Sequence, residues 1–144
     1  VTSELPETLA EIRDDFLALG EKDRLQLLLE FSNELPELPD EHRERTDLFE
    51  RVEECQSPVF LLVDVHDDQV VVHATAPAES PTTRGFASIL VQGLSGRAVE
   101  EVLGVPGDFA FDLGLTAAVS PLRLRGMTGM LARIQRQVRE KSSL

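Results

Sequence analysis

The sequence predicts an α+β fold, a small antiparallel β-sheet with helices packed on it. Three observations carry this expectation. Two segments ahead of residue 34 space their apolar residues at helical intervals. Between Val59 and Ala76, two runs of β-formers flank one short polar turn, the pattern of an antiparallel hairpin. Helical spacing returns after Ser80, in segments introduced by Ser80-Pro81 and Ser120-Pro121. With 144 residues, 42% of them hydrophobic, the simplest organisation is one domain spanning 1–144 around one core. Trp and Tyr are absent, so that core is aliphatic with Phe.

Residues 6–19 read as the first helix, with Leu9, Ile12, Phe16 and Leu19 on one face. Pro6 suits its first turn, Glu7 the positive end of its dipole, and Gly20 its exit. A second helix runs from about Lys22 to Asn33 on Leu25, Leu28, Leu29 and Ser32, widened by Leu27 and Phe31. Residues 34–46, with Pro36, Pro39 and many charges, read as a partly extended loop in which His42 is an exposed surface histidine. Asp47-Leu48-Phe49 is expected to form a single turn whose apolar pair plugs the core, and Arg51-Val52 to begin a short strand. Val59–Val65 and Val70–Ala76 are the hairpin strands, joined by a four-residue turn, His66-Asp67-Asp68-Gln69. Phe60, Leu62 and Asp64 share one face, and Leu61, Val63 and Val65 the other. Ser80 is expected to cap a helix with Pro81 at its first position, carrying Phe86, Ile89, Leu90 and Gly93, with Gly85 permitting close packing near its start. A short helix from Ser95 to Leu103 ends at Gly104. Residues 104–119 are irregular, pinned to the core by Phe109, Phe111, Leu113 and Leu115. The last helix starts at Ser120-Pro121 and buries Met127, Met130, Leu131, Ile134 and Val138. Gly126 and Gly129 each cost it about 1 kcal/mol relative to Ala, which close approach of the helix backbone to the sheet or to the cysteine loop would offset. Arg133, Arg136 and Arg139 read as its solvated face.

The chemistry centres on Cys55, the single cysteine. It stands in Glu53-Glu54-Cys55-Gln56-Ser57-Pro58, where polar residues and a proline mark a loop ahead of the first long strand. A loop thiol can be presented to a partner as a core thiol cannot, although free cysteine is among the most buried residue types. No second cysteine is present for an intramolecular disulfide or a Cys-x-x-Cys pair. Cys55, His66 and His73 lack the close spacing of metal ligands, so no metal site is expected. No phosphate loop, Gly-x-Ser-x-Gly elbow or dinucleotide fingerprint occurs, and nothing suggests an organic cofactor.

The formal charge is −12, from 26 acidic and 14 basic residues. Such a balance speaks against nucleic acid and against anionic membrane surfaces, both of which select basic faces. Acids crowd residues 1–54 and arginines crowd 123–139. No apolar run reaches the roughly 18 residues of a membrane span. With no secretory signal at the start and one cysteine, the expected compartment is a reducing cytoplasm.

Cys55-Gln56-Ser57 before an apolar strand resembles the SufE family of sulfur-acceptor proteins. Other features fall in the family's order: two amphipathic helices, the segment Leu35-Pro36-Glu37-Leu38-Pro39, the strand pair, Thr83-Arg84-Gly85-Phe86 opening a helix, and Ser120-Pro121-Leu122-Arg123-Leu124-Arg125-Gly126 opening the last one. The chain departs from the family pattern twice. Glu54 replaces the usual Gly before the cysteine, and Phe60 stands where Trp is common. A carboxylate at 54 disfavours the neighbouring thiolate, and the loop must take an ordinary φ there with Glu54 directed to solvent or to a cation.

The resemblance implies a persulfide carrier. Cys55 would take sulfane sulfur from a cysteine desulfurase, whose pyridoxal phosphate belongs to that partner, and pass it to iron–sulfur scaffold proteins. The chain would then be a sulfur-transfer accessory with no cofactor of its own rather than a stand-alone enzyme. Gln56 and Ser57 would shape the loop, while Arg84 and Arg123 would contact the partner or organise the loop. An apolar strand beside the loop implies a thiol sheltered until a partner draws it out. The competing expectation is an acidic adaptor that stimulates a partner without carrying sulfur. A thiol hydrolase is a third, and it requires a histidine beside Cys55.

Overall fold

The structure, a computed structural model, describes residues 5–142. Helices α1 (Glu7–Leu17) and α2 (Glu21–Asn33) come first, then a four-residue helix α3 (Asp40–Arg43) and a 3₁₀ turn at Thr46–Leu48. The sheet follows as β1 (Glu50–Arg51), β2 (Phe60–His66) and β3 (Gln69–Thr75). Helices α4 (Pro81–Leu94) and α5 (Val99–Leu103), a 3₁₀ segment at Phe109–Leu113 and the long helix α6 (Pro121–Ser142) complete the chain. No helix among the described residues is long and apolar enough to cross a membrane.

The sheet is antiparallel in the order β1-β2-β3, with Leu61 opposite Ala74 and Val63 opposite Val72. Leu61 and Val63, with Val70, Val72 and Ala74, make the buried inner face, on which α4 and α6 pack. Phe60, Leu62 and Asp64 face the other way and are joined there by His73 and Thr75 of β3. That outer face is partly covered, since Leu62 is 4% exposed. His66 pairs directly with Gln69, so the turn has two residues rather than four. Asp67 and Asp68 both take positive φ, 51° and 69°. Tight hairpins of this kind need the left-handed region at both central positions, which Asp tolerates better than most side chains.

β1 is too short to pair all of β2, and α6 supplies the missing partners. Gln137 Oε1 accepts the Val63 N–H at 2.8 Å, and Lys141 Nζ donates to the Val63 carbonyl. On the far edge, Ser95 Oγ accepts the Val72 N–H at 3.0 Å, and Gly96 N–H donates to the Val70 carbonyl at 2.6 Å. Side chains and a crossing loop thus satisfy backbone groups that an exposed edge would leave open.

Several expectations need correction. Residues 95–98 do not begin α5 but cover the edge of β3, because their backbone groups serve that strand. Leu48 is 44% exposed and Phe111 48% exposed, so neither pins the core. Phe109, Leu113 and Leu115 do, each fully buried. Ser80 makes no cap bond to α4, since its hydroxyl is engaged elsewhere, as described below. His42 is not a surface residue. Its side chain is 13% exposed and its ring lies 4.6 Å from that of His73.

Candidate functional site

Residues 53–58 join β1 to β2. The loop's base is closed where the Val52 N–H donates to the Val59 carbonyl at 2.9 Å, continuing the ladder by one rung. Val52 and Val59 are fully buried, so both feet of the loop stand in the core. Inside it, the Cys55 N–H turns back to the Val52 carbonyl at 3.1 Å. Positive φ among the described non-glycine residues is confined to Asp67 and Asp68, so Glu54 keeps an ordinary backbone and the loop does without the family's usual glycine. The Ser57 and Ser80 hydroxyls lie 2.5 Å apart, tying the loop's far side to the start of α4. This contact occupies the hydroxyl that was expected to cap α4.

The loop lies on α6 at its two glycines. A methyl group on Gly126 would stand 2.9 Å from Cys55 Sγ, and one on Gly129 would stand 2.7 Å from the Glu54 carboxyl carbon. A side chain at Gly126 would press on Cys55 and its loop, whereas one at Gly129 would displace the Glu54 side chain. The close approach anticipated from the helix-weakening glycines is therefore to the cysteine loop. Gly85 serves the same purpose elsewhere, letting α4 meet the backbone and side chain of Leu28 in α2.

Glu54 faces a cation rather than open solvent. Arg133 of α6 donates to Glu54 Oε1 at 2.8 Å and to Glu50 Oε2 at 2.6 Å. Arg136 also binds Glu50, and Gln137 Nε2 adds a bond to Glu50 at 2.9 Å. Burial alone would raise Glu50, but the bonds from Gln137, Arg136 and Arg133 outweigh it and hold the carboxyl below its ordinary value. The expectation that Arg133 and Arg136 form a solvated face is overturned, because two arginines of α6 clamp the strand and loop that carry Cys55.

Cys55 is 9% exposed. Burial, reinforced by the Glu54 carboxylate, pushes its thiol up to about 11, against smaller opposing effects of Arg133 and Arg51. A cleft of about 60 Å³ opens beside it, lined by Glu54–Ser57 of the loop, by Thr83, and by Leu122, Arg123 and Gly126 of α6. Leu122 is 45% exposed at this rim. Arg123 is also exposed there, and its guanidinium makes no hydrogen bond or ion pair among the described residues. The cleft has no histidine in its lining, so the Cys–His pair of a thiol hydrolase is not assembled at this thiol.

Of the residues singled out in the sequence, Cys55, Gln56, Ser57 and Arg123 meet at one cleft. Arg84 does not join them. Its guanidinium donates to the Ser32 carbonyl at 2.9 Å and the Ala76 carbonyl at 2.6 Å, fixing α4 to the end of α2 and the exit of β3. Sequence reasoning missed Thr83, Leu122, Arg133 and Glu50. Arg133 carried a usable signal, since it lies one helical turn beyond Gly129 and on the same side of the helix.

Comparison with known proteins gives a consistent answer. Residues 10–138 match the family model SufE, described as Fe-S metabolism associated domain. An uncharacterized SufE-like protein of Mycobacterium tuberculosis is 56% identical over 137 residues, covering 94% of each chain. The chloroplastic/mitochondrial SufE-like protein 1 of Arabidopsis thaliana is 36% identical over 135 residues, covering 93% of this chain and 35% of that longer one. In three dimensions, the solution structure of a hypothetical protein from Thermus thermophilus superposes with a TM-score of 0.85 at 37% identity, over 97% of this chain and 99% of that one.

Proposed function

Since this chain belongs to the SufE family of Fe-S metabolism associated domains, we propose that it is a sulfur acceptor that works through Cys55. One observation carries the reading. The only cysteine stands at a small cleft, beside a cation with no side-chain partner among the described residues, in a loop that rests on two glycines of a long helix. A loop seated against glycines can lift without dragging side chains out of the helix, and both its feet remain in the core as it does so.

The partner is a cysteine desulfurase bearing sulfane sulfur as a cysteine persulfide. Cys55 loses its proton and attacks the outer sulfur, the sulfur–sulfur bond breaks, and the partner's cysteine leaves as a thiolate that takes up a proton. Cys55 then holds the persulfide and passes its outer sulfur to an iron–sulfur scaffold protein. A thiol with a pKa near 11 is a poor nucleophile at neutral pH. Transfer therefore requires the loop to move Cys55 away from its buried seat and from Glu54. Arg123 at the rim stabilises the developing thiolate or pairs with a carboxylate of the partner. Leu122 supplies apolar contact area beside it.

The test is the rate of alanine formation by a cysteine desulfurase with this protein, and with Cys55→Ser, added in excess. Stimulation that disappears in Cys55→Ser supports a carrier. Stimulation that survives the substitution contradicts it and favours an adaptor whose cysteine is idle.

A further inference from the structure

Three side chains far apart in sequence converge on the outer face of the sheet. Asp64 of β2 and His73 of β3 sit diagonally across the pair, since His73 is opposite Leu62 and Asp64 opposite Val71. His42 reaches over them from α3. His73 Nε2 is 3.1 Å from Asp64 Oδ2, and His42 Nε2 is 3.3 Å from the same oxygen. The three potential ligand atoms all lie within 4.8 Å of one another. The side chains are 13%, 30% and 11% exposed for His42, Asp64 and His73, a site sheltered but not sealed.

Hydrogen bonding alone uses these groups incompletely. Both imidazoles turn their Nε2 atoms on one carboxylate oxygen, which a single proton-sharing bond does not require. A cation between the three groups would draw on a lone pair from each. In a tetrahedral zinc site, with metal–ligand bonds of about 2.0–2.1 Å, neighbouring ligand atoms stand about 3.3 Å apart. The two Asp–His edges, 3.1 and 3.3 Å, already have that length. The remaining edge, between the two histidines, is no longer than 4.8 Å. Two nitrogens and one carboxylate oxygen are a donor set suited to zinc rather than to calcium or magnesium, which prefer all-oxygen shells.

From this geometry we propose that His42, Asp64 and His73 form a site for a divalent transition-metal ion of the zinc class, with three protein ligands and a fourth position open to water. The bound ion joins α3 to β2 and β3 across the outer face. The site is independent of Cys55 and of the sulfur-transfer reading.

The experiment is calorimetric titration of the full chain with Zn²⁺ in the Cys55→Ser background, which removes the thiol as a rival ligand, followed by His42→Ala and His73→Ala in that background. One equivalent is expected to bind and to raise the melting temperature. Affinity should fall by more than roughly a hundredfold in either histidine variant, since even partners one step removed from a metal are worth 10–100-fold. Asp64→Asn keeps the side-chain shape and serves if a histidine variant unfolds by circular dichroism. Co²⁺ loaded into Cys55→Ser should show visible ligand-field bands, and in the unsubstituted chain it should show no thiolate charge-transfer band. Absence of stoichiometric binding, binding unchanged in both histidine variants, or binding lost in Cys55→Ser would each overturn the proposal, leaving the cluster as a hydrogen-bonded brace.

Discussion

At the scale of single residues, Cys55 is held in a state that suppresses its own chemistry. Its pKa of about 11 against an ordinary 9.0 makes its thiolate fraction near pH 8 about a hundredfold smaller than that of a free thiol. Iodoacetamide should label it slowly, and labelling should accelerate once the protein is unfolded in urea. Burial is the larger cause and the Glu54 carboxylate the second. Glu54→Gln should therefore lower the midpoint of a pH–alkylation profile, yet leave it above that of an ordinary thiol. A midpoint unmoved by the substitution would remove Glu54 from the account. The same displacement couples to folding. A thiol whose pKa is raised in the folded state contributes its full stabilisation below the unfolded value, here 9.0, and loses it as pH climbs through about 11. Two units correspond to at most about 3 kcal/mol. Urea melts between pH 8 and pH 11 should show the parent losing that stability relative to Cys55→Ser, which does not titrate in this range. Parallel curves would contradict the assignment. That Cys55, Gln56, Ser57 and Arg123 line one cleft fits the local motifs that mark them in the sequence. The restraint on Cys55 was only half legible: Glu54 is its neighbour in the chain, but burial is a property of the packed loop.

At the scale of elements, α6 is the organising piece. Its apolar stripe packs on the inner face of the sheet, its glycines seat the cysteine loop, and its polar side chains complete the edge of β2 and clamp Glu50. Gly126→Ala gains helix propensity of about 1 kcal/mol, but its methyl would meet Cys55 Sγ at 2.9 Å. Sγ lies on a short side chain with little freedom, so the loop must shift. Overpacking of this kind costs about 1–3 kcal/mol. The variant should melt below the parent and alkylate faster at Cys55. Gly107→Ala, with open space around it, should do neither. Glu50→Gln removes the shared acceptor of Arg133, Arg136 and Gln137, whose side chain is 23% exposed. It should destabilise at pH 7 by roughly 1–3 kcal/mol, the range for bonds to a charged group. Because the Glu50 carboxyl is held below its ordinary value, its contribution is present at neutral pH and is lost as the carboxyl is protonated in acid. The two proteins should therefore converge in stability toward low pH. The glycine signal was readable, because two helix-weakening residues one turn apart ask for a compensation. The clamp was not, because Glu50 and Arg133 are 83 positions apart and no local pattern links them.

At the scale of the whole molecule, a −12 chain gathers cations on one helix, where Arg133, Arg136 and Lys141 are used internally, while Arg123, beside the thiol, has no side-chain partner among the described residues. The α+β architecture followed from helical spacing and one hairpin. The parts that sequence left obscure depend on tertiary neighbours: the loop crossing the β3 edge, the Asp67-Asp68 turn standing in for Asn-Gly, and His42, which acids surround in sequence but Asp64 and His73 surround in space. The two faces of the sheet divide the molecule. The inner face and α6 hold Cys55, while the outer face holds the His42–Asp64–His73 cluster. The central claim is that Cys55 carries sulfur, and intact mass tests it directly. The protein would be incubated with a cysteine desulfurase, free cysteine and pyridoxal phosphate, separated without reductant, and weighed. A gain equal to one sulfur atom, reversed by reductant and absent in Cys55→Ser, is the predicted result. An unchanged mass beside a desulfurase that turns over normally, or a gain that persists in Cys55→Ser, would contradict it.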